Sequence, residues 1–422
     1  MFQATSRSGL RLPFPSPPRT AHGIEDEMTE EVGLCPPQGT VPRVSIEAED
    51  GAVVAQGAPL ARLRDAPDVC FVAPMASRVA RVSLLQGHRL SEIVVFQEPG
   101  GDVISHDTST ADTEAGLRRL MQRAGLWPWL RRRPFGGMPD ADERPAAVVV
   151  MATDTRPFAP DPRIALDGRE EAFGRGLRAL NLLTDEAPFL CQQPGPALID
   201  SADRQRAHVV TIGARHPQGA AGLRIHALCP AGIDAPVWDI HAEDVAALGT
   251  LLETGQLPLT RLVSVGGSAL RESRLVRTQA GADLRGLTYR SVLPGAHRLL
   301  SGSPLDGQAA HWLQPRDRQV TALPREPSRP TPHWLTAALT RSARSRPVIP
   351  SAALDQAFGG ALPAAAFTRV LSAGDDETAM KMGVLCLLEE DCALADYVLG
   401  DDGHLRELLR GMLERIRTEF AA

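Results

Sequence analysis

The sequence predicts an α/β multidomain protein, and three observations carry that reading. The chain has 422 residues, enough for several domains of about 100–200 residues each. Residues 41–98 alternate apolar and polar positions around turns at Asp50 and Gly51 and at Gln56 and Gly57, the period of half-buried strands. Between 146 and 255, apolar strand-type runs take turns with helical periodicities, the pattern of a layered α/β domain.

Residues 1–40 are polar and rich in Pro, Ser, Thr and Glu. They are expected to form an extended lead-in with the composition of disordered segments. Residues 41–100 are expected to form a small β domain. Within it, GAVVAQGAPL at 51–60 and FVAPMASRVARV at 71–82 resemble the barrel-sandwich hybrid of lipoyl and biotinyl carriers. A carrier needs a lysine on an exposed hairpin; this region has none, so the fold there would be structural.

Residues 110–256 read as a Rossmann-like α/β domain. Leu117, Leu120, Met121 and Leu126 recur at helical spacing over 114–130. A buried-type strand follows at 146–151, a helix at 168–183, strands at 187–192 and 207–213, and a helix at 241–255 with Asp239 or His241 near its start. In residues 257–320, RLVSVGG and HRLLSG read as strands joined by Gly-rich turns. Residues 321–350 contain Pro324, Pro327, Pro330, Pro332, Pro347 and Pro350 and read as a linker. Residues 351–422 are helical by pattern; Leu405, Leu408, Leu409, Met412 and Ile416 share one helix face.

The formal net charge is -6, which argues against the concentrated basic face that nucleic-acid binding needs. No apolar run approaches the ~18 residues of a membrane span. Arg7 and Arg11 are followed by no apolar stretch, so no signal peptide is expected. The protein is expected to be cytoplasmic, reaching a membrane only through a partner. The six cysteines, Cys35, Cys70, Cys191, Cys229, Cys386 and Cys392, form no CxxC. Neither a disulfide scaffold nor a ferredoxin-type cluster is supported.

AMKM at 379–382 matches the biotin attachment motif and holds the only lysine, Lys381. Its flanks are helix formers with an acidic start rather than β-branched hairpin strands. A helix-surface reading is therefore favoured over a carrier site. HPQGAAGLRIH at 216–226 offers His216 and His226, with Cys229 close behind. A zinc site needs a fuller ligand set, so a Gly-rich turn with His216 capping it is favoured. The run Arg131–Arg133 before Phe135 reads either as a solvated basic turn or as a surface for anionic headgroups or a partner's acidic rim. Glu389, Glu390 and Asp391 are expected to complement a helix N-terminus rather than perform acid–base chemistry. No Ser-His-Asp signature, P-loop or metalloprotease motif is present.

Several ordered segments carry a family resemblance. They are LWPWLRRRPFGGMPDADERPAAVVVMATDTRPFAPDP at 126–162, HPQGAAGLRIH at 216–226, RLVRT at 274–278, LLSGSPLDG at 299–307 and LSAGDDETAMKMGVLCLLEEDCALADYVL at 371–399. Together they are similar to the family of A subunits of the bacterial Na+-translocating NADH:quinone oxidoreductase. The resemblance implies an SLBB-like β-grasp domain at 257–320. It implies a peripheral subunit on the cytoplasmic face of the inner membrane, docked on the membrane-embedded B subunit of a complex with five other subunits. That complex oxidises NADH, reduces ubiquinone and pumps Na+ outward, with FAD, FMN, Fe–S and riboflavin carried by other subunits. The related fold in the flavin subunit of complex I has a glycine-rich phosphate loop before a comparable strand. Here Trp, Arg and Phe crowd that place and only Gly136 and Gly137 remain, so no cofactor is expected on this chain. The family's two further C-terminal cysteines correspond here to Ala395 and Leu399. No catalytic residue is assigned. Arg132, Phe135 and His216 are the quinone-proximal or interface candidates, and 34–41 is a further segment implied to lie near the quinone path. The alternative is an autonomous FMN/NADH dehydrogenase module related to the complex I flavin subunit or the Rnf C subunit; the latter would need CxxCxxC groups.

Overall fold

The computed structural model describes residues 2–4, 8–14, 23–200, 206–325, 351–400 and 404–420. It is a mixed α/β protein with several sheets and a helical C-terminal part.

The central sheet has six strands in the spatial order Phe2–Ala4, His208–Ile212, Phe189–Gln192, Ala147–Ala152, Val237–His241 and Arg131–Arg133. All neighbours are parallel except the last pair. Every residue of Ala147–Ala152 is buried, as the continuous apolar run requires of a parallel strand covered on both faces. Helices Glu170–Leu180 and Ala242–Thr254 pack as a pair beside the sheet. Glycine permits their close approach. A Cβ on Gly249 would lie 1.7 Å from the Ala172 carbonyl oxygen, and one on Gly176 would lie 2.0 Å from that of Val245. His241 caps the second helix, its Nδ1 accepting from the Glu243 N–H.

The expected helix over 114–130 is shorter than its periodicity indicates. It runs Glu114–Arg123, then turns at Gly125 (φ +81°) into a 3-10 turn at Trp127–Trp129. The tryptophans dictate this: Trp127 is fully buried edge-on against Trp238, ring centroids 5.4 Å apart, and its Nε1 donates to the Pro139 carbonyl.

Two smaller sheets, of four and three strands, enclose a core around Val32, Leu60, Phe71, Val79 and Ile93. A second six-stranded sheet runs Gln308–Ala309, His297–Ser301, Gln319–Pro324, Thr260–Gly266, Arg274–Gln279, Glu25–Asp26. Gln319–Pro324 crosses the boundary expected at 320: its buried Val320 and Ala322 complete the core of that sheet. Residues 326–350, most of the expected linker, lie outside the described residues. The described part of the lead-in includes three short strands. Phe2–Ala4, Glu25–Asp26 and Glu31–Leu34 each add an edge strand to a different sheet.

At the C-terminus, helices Ala352–Ala357, Ala364–Ala373, Asp376–Lys381, Ala393–Leu399 and Leu405–Phe420 share one apolar core. AMKM is helical: Lys381 is the exposed last residue of Asp376–Lys381, not a hairpin tip.

Candidate functional site

Numbered in chain order, the five parallel strands of the central sheet run 1-4-3-2-5. The order reverses between Ala147–Ala152 and Val237–His241. Open α/β sheets bind ligands beyond the carboxyl ends of the strands at such a reversal. A cavity of about 630 Å³ lies there, within the size range of small-molecule sites. Thr153, Asp154 and Arg156 enter it from the end of the first strand, and His241 and Asp244 from the end of the second. The 135–137 loop, Asp306, Arg316 and Asp317, and Leu388–Glu390 with the last helix close it from other parts of the chain.

Most charges in the wall are paired. Arg156 Nη2 meets Asp154 at 2.6 Å and Nη1 meets Asp306 at 3.0 Å. The Asp306 carboxyl, although buried, is held down to about 2 by Arg156, by the Ser303 hydroxyl and by His216. His216 is itself buried, and burial lowers it to about 4 with a further push from Arg156. Its Nδ1 lies 3.1 Å from Thr155 Oγ1, which already accepts the Gly219 N–H at 2.9 Å. The lowered value leaves the imidazole neutral near pH 7, in a hydrogen bond with this hydroxyl through Nδ1. His241 is likewise pushed well below its ordinary value by burial and by Arg318.

Three groups in the wall stand apart from this pairing; one is Arg406, whose guanidinium donates only to the carbonyls of Leu305 and Asp306 among the described residues. Asp317 makes no ion pair among the described residues; burial raises it to about 6, and Ser301 Oγ donates to it at 2.5 Å. Arg316 is lowered to about 9, first by burial and then by its neighbours Arg131 and Arg133.

The structure corrects the reading of the arginine run as a solvated turn, because Arg131–Arg133 is the antiparallel edge strand of the central sheet. Arg133 is fully buried and pairs with Asp239, with Glu390 at 3.4 Å and with Asp391 at 3.6 Å. Arg131 pairs with Asp239 at 3.1 Å and with Glu390. Arg132 points the other way, to Asp140 and Glu143, each at 2.8 Å. The carboxylates that claim these guanidiniums lie more than a hundred residues away for Arg131 and Arg133, so nothing local announces them. Asp391 also accepts from the N–H of Gly222 at 3.1 Å and of Leu388 at 2.8 Å. Gly222 opens the helix Ala221–Leu228, so this acid does complement a helix N-terminus.

Of the three candidates, the structure brings Phe135 and His216 to the cavity and leaves Arg132 outside its lining. The segment 216–219 is a turn leading into Ala221–Leu228, and His226 instead packs beside Gly383. Among the described residues no group of three His, Cys, Asp or Glu side chains is placed to hold a metal. The thiols are raised by burial, Cys35 to about 11 and Cys191 and Cys229 to about 12, which keeps them protonated and poor as ligands. Sequence reasoning missed Asp154, Arg156, Asp306, Arg316 and Asp317. The first two had a signal, polar residues directly after a buried parallel strand; the other three arrive from a different sheet.

Residues 112–257 match the family model described as "NqrA second alpha/beta domain", and residues 262–311 match "NQRA C-terminal domain". The A subunit of Na(+)-translocating NADH-quinone reductase from Pasteurella multocida is 31% identical, the match covering 98% of this chain and 99% of its own. The protein of the same name from Neisseria meningitidis is also 31% identical over the same shares, and that of Teredinibacter turnerae is 30% identical. A crystal structure of an NAD+-reducing NiFe-hydrogenase aligns with 73% of this chain and 64% of its own at 12% identity and a TM-score of 0.38, too loose a likeness to bear on fold or function.

Proposed function

This chain belongs to the NqrA family, the A subunits of Na(+)-translocating NADH-quinone reductase, and we propose that it is the corresponding peripheral subunit of such a complex. One observation carries the reading: about three residues in ten are shared with these relatives along essentially the whole of both chains. No helix among the described residues is long and apolar enough to cross a membrane, which fits a subunit held to the membrane by others. In this reading the complex oxidises NADH, reduces ubiquinone and exports Na+. The chain docks on the membrane-embedded B subunit from the cytoplasmic face, alongside four further subunits. FAD, FMN, Fe–S and riboflavin belong to those other subunits, and this chain carries no redox group.

We read residues 41–100 as barrel-sandwich-hybrid-like, 110–256 as Rossmann-like and 257–320 as SLBB-like. The switch-point strand order and the match to the family's C-terminal domain model support the last two. Phe135 and His216 are the quinone-proximal candidates, supported by their shared place in the cavity wall. His216 held neutral near pH 7 suits hydrogen bonding to a carbonyl oxygen better than charge stabilisation. Arg132 stays an interface candidate beside Asp140.

The test is NADH-driven ubiquinone reduction by the intact complex in which this chain carries Phe135→Ala or His216→Asn. The expected result is a several-fold rise in KM for ubiquinone with assembly retained. Unchanged kinetics in both variants would remove these residues from the quinone path. A wild-type chain that fails to co-purify with membrane subunits would remove the family-based reading of its role.

A further inference from the structure

We infer that the end of the cavity formed by Arg316 and the 135–137 loop is an oxyanion site that takes the phosphate of a small organic phosphate. The inference does not rest on the quinone reading. Arg316 lines the cavity, and its guanidinium makes no ion pair among the described residues. Its Nη2 donates to the carbonyls of Leu130 and, at 3.0 Å, of Gly137. Its Nε is buried without an acceptor. That leaves Nη1 as the donor open to the cavity. The surrounding field asks for a negative charge: Arg131 and Arg133 repel this guanidinium, while the carboxylates that attract it, Asp239 and Glu390, are already bound to those two arginines. Arg316 is half-buried, and holding a partly desolvated cation with no counter-ion is costly; a bound oxyanion would relieve that cost.

The loop supplies the rest of the cradle. Phe135, Gly136 and Gly137 are three successive left-handed residues, with φ of +75°, +75° and +78°. A phenylalanine in that region is strained. All three residues line the cavity, and none of their N–H groups donates to an acceptor among the described residues. Successive backbone N–H groups beside a guanidinium are the recurring chemistry of phosphate recognition. Their number favours a phosphate monoester, with three terminal oxygens, over a carboxylate with two. Of the acids in the wall, all but Asp317 are held by arginines among the described residues. Glu389 is held by Arg410, Glu414 by Arg417 and Asp306 by Arg156. A volume of about 630 Å³ leaves room for a group of mononucleotide size behind the phosphate.

Calorimetric titration of the full chain at low salt with AMP, inorganic phosphate and succinate tests this, repeated on Arg316→Gln. The glutamine amide can still donate to the Leu130 or Gly137 carbonyl and removes a desolvated cation. The variant should therefore melt at or above the wild-type temperature, separating lost binding from lost fold. AMP should saturate one site, and Arg316→Gln should weaken it about tenfold to a hundredfold, the loss of one charge-assisted contact. Binding of inorganic phosphate alone would keep the oxyanion site and overturn the organic ligand. Equal affinity for succinate would overturn the phosphate assignment. Undiminished AMP binding in Arg316→Gln, or no saturation by AMP or phosphate up to about 10 mM, would overturn the site.

Discussion

Replacing Asp317 by Asn should stabilise this protein at neutral pH, an unusual outcome for a group inside a cavity wall. The side chain accepts a hydrogen bond from Ser301 Oγ at 2.5 Å, and Arg156, Asp306 and Arg131 are its charged neighbours. Their attraction does not offset burial, and the carboxyl rises to about 6. An unfolded aspartate titrates near 3.9. Because the folded value is the higher one, the native state holds this proton more tightly. That advantage is fully present below about pH 3.9 and is lost as pH rises through about 6. A separation of one pH unit between folded and unfolded values corresponds to about 1.4 kcal/mol, so the ionised carboxylate burdens the fold at pH 8 by about 1.5–3 kcal/mol. Asparagine is nearly isosteric, still accepts from Ser301, and carries no charge. Urea unfolding followed by tryptophan fluorescence should show Asp317→Asn more stable than wild type by that amount at pH 8, with the gap closing toward pH 4. A variant less stable at pH 8, or a gap that does not change with pH, would refute the reasoning.

Other expectations follow from the same contacts. Arg133→Met should cost about 3–5 kcal/mol, the usual result of removing one partner from a buried ion cluster, whereas Arg132→Met, whose partner Asp140 is 72% exposed and whose other partner Glu143 keeps a hydrogen bond from Trp238 Nε1, should cost no more than about 1–2 kcal/mol; equal losses in parallel unfolding curves would sink the distinction. Gly249→Ala would set a methyl 1.7 Å from a backbone carbonyl of the facing helix and should lower stability by about 1–3 kcal/mol, measured as a drop in Tm; a neutral result would mean the helix pair can slide apart. Lys381 ends a helix, so the expressed protein should give no band on a streptavidin blot, and a positive blot would reopen the carrier reading.

The elements legible in the sequence are those whose cause is local. Ala147–Ala152 announces itself by an unbroken buried run, and Leu405–Phe420 by its one apolar face. The turn at 216–219 follows from its glycine and proline. Reading fails where the cause is distant. Periodicity carries the first helix too far because the break at Gly125 is set by distant contacts: Trp127 packs on Trp238, and Val72 would meet a Cβ at Gly125 at 2.5 Å. The lead-in gives no strand signal because an edge strand of two to four residues has no periodicity of its own; each of its described strands is held by the sheet it joins. The arginine run misleads most. Composition gives arginine to the surface, and the distant carboxylates of Asp239, Glu390 and Asp391 bring Arg133 fully inside and hold Arg131 half-buried.

That burial gives the edge strand a consequence beyond stability. Arg131 and Arg133 tie the central sheet to Glu390 and Asp391 of the C-terminal helical part, and Arg133 Nε also donates to the Cys386 carbonyl at 3.1 Å. The same strand leads directly into the 135–137 loop, and Gly136 lies against Leu388. The cavity wall is thus clamped between two parts of the chain by charges that cannot separate without leaving ions unpaired in a low-dielectric interior. Any partner that shifts the C-terminal helices must either carry the loop with them or break the clamp. Rigid coupling is the lower-energy course, because breaking the clamp costs several kcal/mol. A docking event on the last helix would therefore reach Phe135 through Glu390 and Arg131, with no need for a flexible linker between them.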